Sequence, residues 1–62
     1  MTYLPVDTEA LPELQRIQIE GRLALGWEVL GRSPLGPVVS MRRISTGTIV
    51  GINSTGEFFL SA

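Results

Sequence analysis

The sequence predicts an α+β chain, with one amino-terminal helix packed on an antiparallel β-meander of three to four strands. Two copies of one turn point to the meander: Ser45-Thr46-Gly47 and Ser54-Thr55-Gly56 lie nine residues apart between strand-like segments. Glycine closes both loops, where a three-residue hairpin connection needs the left-handed conformation that costs glycine least. Upstream, Leu11 to Leu25 places its apolar residues at helical rather than alternating spacing. The alternative architecture is a small half-open β-barrel with the same helix, since the second face of the sheet is partly apolar and closure would cover it.

Each element has a local reason. Residues Met1 to Val6 read as an extended lead-in kept from helix by Pro5, with Tyr3, Leu4 and Val6 available to add an edge strand or pack on the helix. The helix is expected to start near Asp7 or Thr8, both good N-caps, with Glu9 and Glu13 favoured by the positive helix terminus and Pro12 accommodated in the first turn. Leu11, Leu14, Ile17, Gly21, Ala24 and Leu25 fall on one stripe and are expected to face the core. On that stripe Gly21 would allow close approach to the sheet, and Gly26 would stop the helix. Ile19 and Leu23 lie off the stripe among Gln15, Arg16, Glu20 and Arg22. Either the amino-terminal segment covers them or they form an oligomer or partner surface.

Trp27 to Leu30 reads as a strand ended by Gly31, and Ser33-Pro34-Leu35-Gly36 fits a reverse turn with proline second. In the meander, Val38 to Leu60, two three-residue loops would set the register. Ile44 would face Thr48, Arg42 would face Val50 and Ser40 would face Ile52, while Asn53, Ile52 and Val50 would face Glu57, Phe58 and Leu60. Alternation then gives a core face of Val38, Ile44, Val50, Ile52, Phe58 and Leu60. The other face would carry Val39, Met41, Arg43, Ile49, Gly51, Asn53, Glu57, Phe59 and Ser61, with Met41, Ile49 and Phe59 grouped near Gly51 as a second apolar patch.

At 62 residues the chain is expected to be one domain with a thin stability margin. Cysteine and histidine are absent, which excludes disulfides and the usual transition-metal ligands. The six acidic residues are scattered and match no calcium-loop spacing. Self-association is the staple that remains. A net charge of −1 offers no basic field for nucleic acid. No stretch resembles a secretory signal or a membrane span, so a complete cytoplasmic product is expected, in the host cytoplasm if phage-encoded.

The inventory argues against catalysis. Ser40, Ser45 and Ser54 have no histidine or lysine as base, and Glu13 and Glu20, alongside Arg16, read as solvated ion-pair partners. Arg42 and Arg43 precede Ser45, Thr46 and Gly47, a grouping of guanidinium, hydroxyl and turn amide that suits a phosphate or carboxylate. Alternation sends the two arginines to opposite faces, so one subunit cannot easily clamp a single anion between them. The basic pattern before Ser45 and the acceptor pattern Asn53-Ser54-Thr55 are too short to carry meaning without a substrate-like loop or a secretory signal. Tyr3, Trp27, Phe58 and Phe59 are expected in packing rather than base stacking.

The expected function is therefore a non-enzymatic binding or regulatory protein, without cofactor or metal. It would self-associate and occupy a surface on a larger protein, as compact phage-type inhibitors do. Ile19, Leu23, Met41, Ile49 and Phe59 are the expected interface residues. The alternative is a protein that sequesters a nucleotide or other small anion in an inter-subunit pocket of Arg42, Arg43, Ser45, Thr46 and Gly47.

Overall fold

The computed structural model of the chain describes residues 3–34 and 36–60. A 3-10 turn, Thr8–Ala10, precedes helix α1 (Glu13–Leu23) and strands β1 (Trp27–Arg32), β2 (Val39–Arg43), β3 (Ile49–Ile52) and β4 (Phe58–Leu60). The strands form one antiparallel sheet in the order β1-β2-β3-β4, with α1 packed on one face. The sheet is not closed. The helix-on-meander architecture therefore holds, and the barrel does not.

The helix begins later than its first caps suggest. Asp7 does cap, its carboxylate accepting the Glu9 amide at 3.1 Å, but the turn it starts ends at Leu11. Leu11 is extended, at φ −81° and ψ 156°, because the residue before a proline is pushed out of the α region. Pro12 is then the N-cap residue of α1. At the other end Gly26, at φ +89°, turns the chain into β1 as expected.

The buried face of α1 is not the expected stripe. Gln15 and Ile19 are buried and Leu11 is packed against the core, whereas Leu14, Ile17, Gly21, Ala24 and Leu25 are exposed. Relative to expectation the helix is rotated by about 100°, one residue's worth of turn. Gly21 accordingly makes no close approach, since a Cβ there would meet nothing within 4 Å.

The second hairpin has the expected register, with Ile52 opposite Phe58 and Val50 opposite Leu60. The first is shifted by one residue: Arg42 pairs with Ile49, Met41 with Val50 and Val39 with Ile52. Its loop has four residues, because the Arg43 amide donates to Thr48 O at 2.8 Å while the Ile44 amide is drawn to Gly26 O at 3.1 Å. Gly47 is left-handed, at φ +76°, as the turn requires. A one-residue slip turns a strand over. Val39 and Met41 therefore join Val50, Ile52 and Ile19 in the core, with Val6, Leu11, Trp27 and Val29 packed around them.

β1 runs through Gly31 to Arg32, with a register irregularity between Val29 and Gly31. Gly31 has φ +138°, and a Cβ there would lie 2.6 Å from Leu4 O and 2.7 Å from Tyr3 Cβ. This close approach lets Leu4 bridge to Arg32 and cover the outer edge of β1, through two backbone hydrogen bonds of 2.9 Å. In the expected turn the Gly36 amide donates to Ser33 O at 3.4 Å. Leu35 of that turn, and Ser61 of the expected second face, lie outside the described residues.

Candidate functional site

This packing leaves eight large hydrophobic side chains exposed among the described residues. Leu14, Ile17 and Leu25 stand on the outer side of the α1 region, Leu25 at 75% exposure, while Leu23, also exposed, lies on a different side of the helix. Ile17, Gln18, Gly21, Arg22, Leu25 and Trp27 line an open groove of about 430 Å³. The absent side chain of Gly21 gives the groove room. The Arg22 guanidinium lies 4.2 Å from the Phe58 ring centroid and 5.9 Å from that of Trp27, so its charge is held against aromatic faces beside the groove.

At the far edge of the sheet, Phe58, Phe59 and Leu60 are all exposed, Leu60 at 76%. Phe58 and Leu60 share the helix side with Ile52 and Val50, while Phe59 shares the opposite face with Gly51. Gly51 is small for a reason: a Cβ there would lie 2.9 Å from both the Phe59 ring and Val38 Cγ1. The loop before β4 packs back onto the start of α1, where a Cβ on Gly56 would lie 3.1 Å from Leu14 O.

The five expected interface residues divide. Ile19 and Met41 are 0% exposed and belong to the core, a correction that follows from the helix rotation and the β2 register. Ile49 is half-buried, while Leu23 and Phe59 are exposed. Phe59 does lie against Gly51, but Met41 is on the other face.

The anion grouping is also rearranged. Arg42 is on the face opposite the helix and is bound through Nε and Nη2 to Glu28 Oε2, its cross-strand partner. Arg43 is exposed on the helix side, opposite Trp27 in register. Between Gly47's neighbours, the Thr46 and Thr48 hydroxyls are 2.8 Å apart, within hydrogen-bond reach of one another. Ser45, Thr46 and Gly47 are exposed in the four-residue loop, and the structure does not bring the two arginines together. In the other turn Asn53 Oδ1 accepts from the Thr55 amide, Thr55 Oγ1 and the Glu57 amide.

Gln15 was not expected to have a structural role. It is 1% exposed, and its Nε2 donates to Pro37 O and Ile52 O, both at 2.8 Å. It ties the helix to one end of the β2–β3 pair, where Pro37 leads into β2 and Ile52 ends β3. Only the tertiary arrangement could reveal this, because it depends on two carbonyls distant in sequence converging on one helix position. Arg16 and Glu20 form the expected helix-surface ion pair at 3.8 Å.

Among the described residues no cluster of three or more carboxylates is placed to hold a metal ion, and no helix is long and apolar enough to cross a membrane. No family model, curated protein or solved structure matches the chain.

Proposed function

We propose that this chain is a non-enzymatic binding protein that self-associates and occupies a surface on a larger protein. The observation that supports it is the outer side of α1. Leu14, Ile17 and Leu25 are exposed together there, although Ile19 and Gln15 already supply the helix's contact with the sheet. An amphipathic helix needs one apolar stripe to pack on a sheet. A second stripe, next to a groove with an aromatic wall, is what a binding surface needs: apolar anchors at the centre and an arginine able to meet a carboxylate or carbonyl at the rim.

Native mass spectrometry of protein purified gently from its expressing cells, compared with I17E and L25E, tests this function. Wild type is expected as an oligomer or in complex with a larger protein. Both variants are expected to keep the wild-type circular dichroism, because the substituted positions face solvent, and to lose the larger protein. Unchanged complexes in both variants would refute the α1 surface. Extra mass of a few hundred daltons per site would redirect the function to sequestration of a small ligand.

A further inference from the structure

We infer that self-association, as proposed above, occurs by β4 pairing antiparallel with β4 of a second copy across a two-fold axis at Phe59, joining two four-stranded sheets into one of eight. The backbone sets this register. Asn53 N donates to Glu57 O at 2.9 Å, so 53 and 57 form a hydrogen-bonded pair. Antiparallel pairs alternate. Gly51 and Phe59 are therefore the next hydrogen-bonded pair, and the N–H and C=O groups of Phe58 and Leu60 point away from β3, off an edge that carries no further strand among the described residues. A second β4 run antiparallel meets these groups in kind. Phe58 pairs with Leu60 of the second copy and Leu60 with its Phe58, giving four hydrogen bonds, while the two Phe59 residues face each other as a non-hydrogen-bonded pair. In that arrangement two aromatic rings lie side by side, each against its own Gly51.

The two edges of the sheet are treated differently. Leu4 covers the outer edge of β1. β4 carries no charge, no proline and no bulge, the usual devices that keep an edge from pairing. Phe58, Phe59, Leu60 and the adjoining Leu14 offer on the order of 400 Å² of apolar surface per copy. With the backbone edge added, two copies reach the roughly 1,000 Å² total expected of a specific but weak interface. A net charge of −1 per copy opposes association little.

The chain has no cysteine, so single cysteine variants report the register directly. Residues facing each other across β4 lie about 4.5 to 5.5 Å apart at Cα, within disulfide range, whereas two copies of residue 58, or two of residue 60, lie beyond the limit of about 7 Å. Under mild oxidation F59C is expected to form a disulfide-linked dimer at least about tenfold faster than F58C or L60C alone. An equimolar mixture of F58C and L60C is expected to form the mixed dimer at a rate comparable with F59C. Should F59C lose its fold by circular dichroism, the mixture decides. If the mixture links no faster than its separate components, the β4 pairing is wrong. Sedimentation velocity of wild type, from low micromolar to submillimolar concentration, separates the two failures. An oligomer without these cross-links overturns the β4 register and leaves self-association standing, whereas a monomer throughout overturns both.

Discussion

Replacing Gln15 with methionine would measure what ties the helix to the sheet. Methionine keeps nearly the same length and volume, so the change removes two hydrogen bonds and little packing. The two acceptors lose unequally. Ile52 is a hydrogen-bonded partner of Val39 in the β2–β3 ladder, so its carbonyl retains a donor, while Pro37 is exposed and water can replace the amide there. A net hydrogen bond is worth about 1 kcal/mol, so the cost should be about 1–2 kcal/mol. For a domain of this size that lowers Tm by roughly 5–15 °C. Total stability is expected at only about 3–9 kcal/mol, so the change should be easily visible in a urea titration followed by circular dichroism. Titrations at two protein concentrations would separate it from any effect of assembly. Q15E should cost more than Q15M at neutral pH, because a carboxylate brings only acceptors to two carbonyls. If Q15M and Q15E both stayed within about 0.5 kcal/mol of wild type, Gln15 would be a passenger.

Three further changes test other parts of the fold. G31A should destabilise by at least about 2 kcal/mol, since it combines an unfavourable φ with a Cβ 2.6 Å from Leu4 O; a thermal melt within error of wild type would mean that Leu4 does not hold the β1 edge. G21A should do the opposite, raising stability by about 0.5–1 kcal/mol, because the position is helical with nothing within 4 Å, and a loss of stability in the urea titration would reveal a hidden contact. E28Q should cost under about 1 kcal/mol and the difference should shrink in high salt, as expected for an exposed cross-strand pair with Arg42; a larger, salt-independent cost in paired titrations would show a structural role for the pair.

The order of elements and the second hairpin were legible because each rests on short-range chemistry: proline before the helix, left-handed glycine at Gly26 and Gly56, and a three-residue connection between Asn53 and Glu57. The first hairpin was not. Its turn carries the same Ser-Thr-Gly residues, but the Ile44 amide is engaged by Gly26 O across the fold. One extra loop residue then exchanged the faces of Val39, Met41 and their neighbours. Nothing within residues 38–52 signals that contact. The anion grouping failed as a unit for a related reason, since Arg42 has a cross-strand carboxylate in Glu28, which lies 14 positions away in the sequence.

The helix is the more informative departure, because hydrophobic periodicity correctly identified a coherent apolar stripe and assigned it to the wrong surface. Choosing the face with more leucine and isoleucine assumes that the sheet takes the most apolar side. Here the sheet takes Ile19 with Gln15, whose side-chain amide can donate to two carbonyls that an aliphatic residue would leave without it. That choice leaves Leu14, Ile17 and Leu25 outward. A second copy joined at β4 would lie near Leu14, which packs beside the loop leading into that strand, and near the groove at Ile17, Leu25 and Trp27 as well, since the groove-lining Arg22 holds its guanidinium 4.2 Å from the Phe58 ring centroid. On the proposed reading the two adjoining surfaces would serve different partners: the sheet edge a second copy, and the groove an apolar side chain from a larger protein.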